Sequence, residues 1–272
     1  MTRKNSNTFL SNLIFKIKSI FAFSLTDLLD NYNIPKKNCL HVGANIGSEI
    51  EIYEKYGFEN VIWIEGYKPY FDILKKNIKD KENHHAFNVM VSEIQNEKVN
   101  FKIASNTGSS TIFEPTDEWY ETFSDLSFTK TEIINCSRID NLLSENFEKD
   151  FSSQIKFIVL DVEGAELKAL FSLGTLIQDI EFAFVEVSLR QNFKNAPLMI
   201  DIDRYFFNNS FKKVFLKYGA ASGDALYMKV KKVSNVHKYK TYFIDTVIQF
   251  MAKIKITDQI VKIKMQIKKI IK

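Results

Sequence analysis

Along the first 33 positions apolar residues recur at helical intervals, at Phe9, Leu13, Ile17, Ile20 and Phe21 and again at Leu25, Leu28 and Leu29. The spacing predicts an amphipathic helix or helix pair within residues 1–35. Lys16 and Lys18 interrupt the apolar run, so it does not read as a secretory signal, and it is too short and too charged to span a bilayer. After Pro35 the pattern changes to short apolar runs punctuated by turn residues. Residues 39–42 read as a strand, 43–47 as a glycine turn, 48–56 as a helix stopped by Gly57, and 61–64 as a second strand. Pro69 opens a helix to residue 79, as proline does in a first turn. Residues 86–91 read as a third strand, 92–96 as a polar turn, and 99–104 alternate like an edge strand.

Residues 105–130 break this rhythm. They begin with hydroxyls and backbone donors (Ser105, Asn106, Thr107, Gly108, Ser109, Ser110, Thr111) and continue past Trp119 and Tyr120 with little periodicity. So long an insertion is functional or mobile; it reads either as a cover for a ligand or as a solvated loop. A short strand at 132–136 and a helix from 139 follow. Phe157, Ile158, Val159 and Leu160 then form a continuous apolar run, the mark of a strand buried on both faces. A helix over 167–173 ends at Gly174, and a second buried strand over 182–185 ends at Glu186. A helix over 198–207 and strands at 212–217 and 224–230, closely connected and so antiparallel, complete the pattern. The expected fold is α/β, a seven-stranded, mostly parallel sheet with flanking helices over residues 36–232. Helical appendages precede it (1–35) and follow it (233–272).

The turn after the first strand is where chemistry is expected. Ligands of open parallel sheets bind at strand C-terminal ends. Glu65 closes the second strand 22 residues after Gly43, the place where nucleotide-binding folds put an acid for ribose hydroxyls. The glycine pattern is G-x-x-x-G, with Asn45 where a dinucleotide turn has its second glycine, and no Walker lysine follows. A ribose-bearing ligand without a phosphate bridge fits, and S-adenosylmethionine is such a ligand; the alternative is that Gly43 and Gly47 only shape the turn. Acids also end other strands, at Asp161, Glu163 and Glu186. Asp161 directly follows a fully apolar strand, where an unpaired carboxylate is expensive, so a ligand, a metal or a basic side chain is expected beside it. Glu166 is suited to the N-terminus of the next helix.

Composition and charge alter this picture only at the end of the chain. The 272 residues, 45% apolar and 26% charged, with nine glycines and four prolines, describe packed elements and not linkers. Two cysteines, Cys39 and Cys136, make neither a C-x-x-C pair nor a zinc framework, which suggests a reducing, cytoplasmic compartment. From His237 to Lys272 nine lysines face two aspartates, a net +7 that leaves −3 for the rest of the chain. The globular part therefore suggests no nucleic-acid partner. In the tail, Ile256, Ile260, Ile263, Ile267 and Ile270 alternate with lysines at helical spacing. This reads as a basic amphipathic helix for a membrane surface or a partner, so that the protein sits peripherally at the inner face of the membrane, or as a wet helix on its own domain. The alternation over 262–268 leaves a strand open.

Taken together, His41-Val42-Gly43-Ala44-Asn45-Ile46-Gly47, Trp63-Ile64-Glu65, Gly108-Ser109-Ser110, Leu160-Asp161-Val162-Glu163-Gly164-Ala165-Glu166 and Gly223-Asp224-Ala225-Leu226-Tyr227 resemble the FkbM-type S-adenosylmethionine-dependent methyltransferases. The resemblance runs from about Leu40 to Lys229. It implies the class I methyltransferase (Rossmann-like) fold with an antiparallel last strand. It also implies O-methylation, often of a sugar hydroxyl in polysaccharide, lipopolysaccharide or natural-product pathways. By this resemblance His41, Gly43, Ala44, Asn45 and Gly47 lie at the cofactor's amino-acid end, Glu65 at its ribose, and Met90, Val91 and Ser92 near its adenine. Asp161 and Glu163 face the methyl and the acceptor, with Asp161 also touching the cofactor and Ser109, Ser110 and Glu186 toward the acceptor. Gly66-Tyr67-Lys68-Pro69 departs from the shared pattern, in which the proline comes sooner after the acid, and the basic tail lies outside it.

A sugar hydroxyl is a poor nucleophile, so a general base or a divalent metal is expected, with Asp161 in that role and Glu163 second. Their period-two relation aims both to one side if the strand persists past Asp161. Two other functions stay open. A nicotinamide-dependent oxidoreductase is disfavoured by the glycine pattern. A non-catalytic, membrane-associated module would keep the fold and use the tail.

Overall fold

The computed structural model describes residues 24–106, 108–219, 221–255 and 259. Ten strands are present among them: β1 (Asn38–Val42), β2 (Asn60–Ile64), β3 (His84–Phe87), β4 (Met90–Val91), β5 (Lys98–Ala104), β6 (Phe128–Ser137), β7 (Ile155–Leu160), β8 (Phe182–Ser188), β9 (Phe211–Tyr218) and β10 (Ser222–Lys229). Seven build one sheet in the order β3-β2-β1-β7-β8-β10-β9. Pairings from β3 through β8 are parallel, and β10 runs antiparallel to both β8 and β9. The antiparallel last strand inside a parallel sheet is the arrangement expected of the class I methyltransferase fold.

Alternation along the strands places a core on each face. Leu40, Val42, Ile158 and Leu160 join one cluster with Leu170, Leu173 and Ile202. Cys39, Phe157 and Val159 join the other with Tyr53, Trp63 and Leu74. A strand buried on both faces cannot alternate in polarity, which is why Phe157 to Leu160 of β7 reads as an unbroken apolar run. Leu25, Leu28 and Leu29 of the helix Leu25–Asn31 belong to the second cluster. That part of the N-terminal segment is therefore packed on the sheet; the apolar positions Phe9 to Phe21 lie outside the described residues.

Three expectations are corrected. The third strand is two strands: β3 stops at Phe87, Asn88 donates its side-chain amide to the carbonyls of Glu65 (2.9 Å) and Gly66 (3.2 Å), and β4 leaves the main sheet. It joins a second sheet in the order β4-β6-β5. The strand expected at 132–136 is ten residues long, because β6 pairs along the whole of β5, from Lys98 opposite Asn135 to Ala104 opposite Phe128. Glu186 does not end its strand but lies inside β8, opposite Asp224 of β10. In the tail a helix spans Asn235–Lys253, ahead of the isoleucine pattern; Ile256, Ile260, Ile263, Ile267 and Ile270 lie outside the described residues. No described helix is long and apolar enough to cross a membrane.

A buried charged network fastens this last helix to the sheet. Lys213 of β9 donates to Asp203 (2.9 Å) and Asp245 (2.8 Å), and the Tyr227 hydroxyl donates to Asp203 (2.7 Å). Asp203 and Asp245 are both buried. Burial, and after it the hydrogen-bonded Asp203 carboxyl, push the Asp245 carboxyl up to about 8. Removing one member of such a network leaves an uncompensated charge. Lys213→Met is expected to destabilise the fold by about 3–5 kcal/mol, read as the midpoint of denaturant unfolding. Because Asp245 keeps its proton when folded and loses it when unfolded, its contribution is complete below about pH 4 and is lost as pH rises through about 8. An unchanged midpoint in the variant would show that the network is not a clamp.

Candidate functional site

At the C-terminal end of β1 the chain turns on Gly43, at φ 84°, and Gly47, at φ 80°. Both φ values favour glycine, and at both positions a side chain would meet the protein itself. A Cβ on Gly43 would run into the carbonyl of Asp161, and one on Gly47 would lie 2.7 Å from Ile50 and from Leu74. The glycines therefore serve the close approach of the β1 turn to the end of β7 and to the neighbouring helices, and not chiefly the approach of a ligand. The Gly43 and Ala44 amides donate to the Ile64 carbonyl at 2.9 and 3.1 Å, which fixes the turn over the end of β2.

Glu65 follows β2 and reaches back under this turn. One carboxylate oxygen accepts the Asn45 amide at 2.7 Å and the other the Tyr67 amide at 2.6 Å. Burial raises its carboxyl above the ordinary value, and the two amides oppose that rise. Each oxygen of an ionised carboxylate has a second acceptor position, and Glu65 lines a cleft shared with Gly43, Asn45, Met90, Asp161 and Glu163. Two acceptor positions on one carboxylate fit two neighbouring hydroxyls. Gly66, the departure noted in the sequence, makes room for the Met90 side chain, whose sulfur would lie 3.0 Å from a Cβ there.

Across the cleft, three carboxylates converge. Asp161, Glu163 and Glu186 each offer an oxygen within 4.8 Å of the others. None of the three has a basic partner among the described residues; the nearby Lys217 reaches Asp224 instead, at 3.8 Å. The strand does not persist past Asp161, so the period-two argument fails. β7 ends at Leu160, Glu163 takes a left-handed φ of 50°, and this turn, not a strand, brings its carboxyl beside Asp161. Thr111 holds the turn by donating to the Glu163 carbonyl at 2.8 Å. Glu166 accepts the Val162 and Gly164 amides at 3.1 and 3.2 Å, at the start of the helix Glu166–Ser172.

Crowding divides the protons unevenly. Burial first, and then neighbouring carboxylates, hold Glu163 and Glu186 well above the carboxylate range. Asp161 rises only to about 6, through burial and the Asp224 carboxyl, and a hydrogen bond with Glu186 opposes the rise. Of the three, Asp161 is the one most readily ionised at neutral pH. Such a group can take a proton from a weak acid. The same three oxygens are the residues that could hold a hard divalent cation.

The insertion forms the remaining wall. Gly108, Ser110, Thr111 and Ile112 line the cleft. Behind them, Trp119 of the helix Asp117–Thr122 is buried against Phe193 and Ala196. It is a packed cap and not a solvated loop. Tyr67, Tyr70 and Phe101 also line the cleft, the two tyrosine rings 5.3 Å apart. Sequence reasoning missed all three; the tyrosines flank the helix start after Glu65, which was the available signal.

Of the expected residues, Gly43, Asn45, Glu65, Met90, Val91, Ser110, Asp161 and Glu163 line one cleft, and Glu186 adjoins it through Asp161. Others lie elsewhere. His41 is inside β1, its Nδ1 3.0 Å from the Tyr53 hydroxyl and its ring stacked on Trp63, and burial pushes its imidazole down to about 3. It is a neutral core residue. Ala44 and Gly47 pack inward below the turn. Ser92 is buried and donates to Glu97. Ser109 faces Asn106, whose amide donates to its hydroxyl at 3.1 Å.

Residues 41–213 match the family described as the methyltransferase FkbM domain. Solved structures of similar architecture include a SAM dependent methyltransferase from Aquifex aeolicus, 11% identical over 80% of this chain and 98% of its own, with a TM-score of 0.43. Another is the magnesium protoporphyrin IX methyltransferase of Synechocystis PCC 6803 with bound SAM, 9% identical over 82% and 94%, TM-score 0.42. A third is TrmK of M. capricolum with S-adenosyl-homocysteine, 9% identical over 79% and 71%, TM-score 0.41. At such identities and scores none of them carries an argument about the acceptor. None of the curated proteins compared with the chain matches it.

Proposed function

The chain belongs to the FkbM methyltransferase family and is a methyltransferase of the S-adenosylmethionine-dependent type, and from that premise we propose that it O-methylates a hydroxyl of a glycan acceptor. The observation that carries the reading is the placement of Asp161, the most readily ionised of three converging carboxylates, in the same cleft as Glu65. When bound, S-adenosylmethionine supplies an electrophilic methyl group on a sulfonium. Glu65 holds the two ribose hydroxyls with its free acceptor positions, and Asn45 and Tyr67 hold Glu65. Met90, Val91 and Phe101 give the adenine an apolar wall. Asp161 would take the proton of the acceptor hydroxyl as the methyl group passes from sulfur to that oxygen, with S-adenosylhomocysteine as the leaving group. Holding acceptor and donor in line supplies much of the remaining rate.

An acceptor with many hydroxyls and no phosphate backbone suits this cleft. Asp161 puts negative charge into the wall of the cleft, which disfavours a polyanion such as RNA. Cys39 and Cys136 are both free and buried, which supports a reducing, cytoplasmic compartment. The methyltransferase domain is read as residues 36–232. The test uses labelled S-adenosylmethionine and a fractionated cell extract. Label is expected in the polysaccharide or lipopolysaccharide fraction and to survive acid hydrolysis as a methyl ether of a sugar. Label recovered in RNA or protein would refute the acceptor class, and binding of NAD in place of S-adenosylhomocysteine would refute the donor.

A further inference from the structure

The helix Asn235–Lys253 carries a surface that the methyl-transfer reading does not use. Its inner face buries Thr241, Asp245 and Ala252 and is clamped through Asp245 to Lys213. Its outer face carries Val236, Tyr239, Phe243, Val247 and Phe250, continued by Ile254. Those positions repeat every three or four residues and so fall on one stripe. The stripe is bare: Val236 is 78% exposed, Tyr239 72%, Phe243 71% and Phe250 61%. Contiguous apolar surface of this kind marks an interaction site, whereas scattered apolar residues do not.

Charge identifies the occupant. Lys240 and Lys253 are exposed on the same helix, and Lys231 and Lys232 are exposed just before it. The helix has one acid, Asp245, which is buried and paired inward. The outer surface is therefore apolar along its middle and positive at its edges, with no acid to offset the lysines. Two copies of this stripe laid together would set lysine against lysine. An anionic bilayer surface complements both features, taking the aromatic and aliphatic side chains below the headgroups and the lysines among the phosphates.

We infer that the helix Asn235–Lys253 docks this protein in the plane of an anionic membrane surface through Tyr239, Phe243, Val247 and Phe250. The helix lies on the surface and does not cross it. Its C-terminal end touches the cap over the cleft: Arg190 donates to the Ala252 carbonyl at 2.8 Å, and Lys255 pairs with Glu121 of the cap helix at 2.9 Å. Docking by this face would set the cap, and the cleft behind it, close to the surface. The inference stands apart from the acceptor reading and does not need it.

The test is flotation of the full chain with phosphatidylcholine vesicles, with and without phosphatidylglycerol. Binding is expected with phosphatidylglycerol only, and to weaken as salt rises because exposed charges are then screened. Phe243→Glu with Phe250→Glu, both outside the packed face, is expected to lower partitioning by roughly tenfold or more while S-adenosylhomocysteine binding and the unfolding midpoint stay unchanged. Lys240→Gln with Lys253→Gln is expected to lower it less and to flatten the salt dependence. The inference is overturned if the wild type does not float with anionic vesicles, or if the Phe243/Phe250 variant floats as well as the wild type through another segment. A wild-type dimer that the same variant splits would overturn it too, by assigning the stripe to a second copy.

Discussion

Asp161→Asn is expected to lower the turnover of methyl transfer by about 10²- to 10⁴-fold, the range for losing a general base, and to leave S-adenosylhomocysteine affinity within a few-fold. The substitution is close to isosteric. What disappears is the carboxylate of the cluster that ionises most readily. Its value of about 6 also sets a pH signature. In the wild type, turnover should fall about tenfold per unit below that point as Asp161 takes up a proton before the acceptor can supply one. The variant should show a low, flat acid limb. Steady-state rates across pH, on whichever acceptor fraction takes the label, give both quantities. A variant that turns over normally removes Asp161 from proton transfer. One that loses donor affinity with turnover intact makes it a cofactor contact. If wild-type activity instead collapses on chelation and returns with a divalent cation, the three carboxylates hold a metal.

Glu65→Ala is the second large effect, and it falls on binding. The variant removes two charge-assisted hydrogen bonds to a ribose, each worth about 1.5–3 kcal/mol, so S-adenosylhomocysteine affinity should drop by roughly 10²-fold or more. Part of that loss has another origin. Glu65 holds the Asn45 and Tyr67 amides at 2.7 and 2.6 Å, so its removal also releases the turn over β1. Glu65→Gln separates the two contributions: it keeps one acceptor oxygen and places a donor where the second was, and should lose less affinity than the alanine variant. Calorimetric titration of wild type and both variants, each checked for an intact unfolding transition, measures the series. Equal affinity in all three would remove Glu65 from the donor site.

The parts of this site that were legible in the sequence are those made by adjacent residues. The strand–turn–helix–strand unit from Asn38 to Glu65 could be read because glycines punctuate it and its strands are buried on both faces. β7 and β8 could be read for the same reason. Features set by distant pairing could not. Nothing local says that β6 pairs along all of β5, or that β4 leaves the main sheet two residues after β3 ends. His41 looked like a polar group near a strand end, and only the stacking of Trp63 and the hydroxyl of Tyr53 show it to be core. Asp161 and Glu163 do converge, but through a left-handed turn and not through strand alternation. The tyrosine and phenylalanine wall has no spacing signature, because its members come from two separate segments.

The position of β10 has a consequence for synthesis. Among the described strands it is the last to leave the ribosome, yet it sits between β8 and β9. Until residue 229 has emerged, β9 has no partner in the sheet and β8 presents an open edge, a surface prone to pairing with other chains. The same strand brings Asp224 to stand opposite Glu186. The carboxylate cluster therefore lacks its β10 neighbours in any nascent or truncated chain that stops short of that strand. The sheet closes only when β10 inserts, so a chain released before that would keep an aggregation-prone edge.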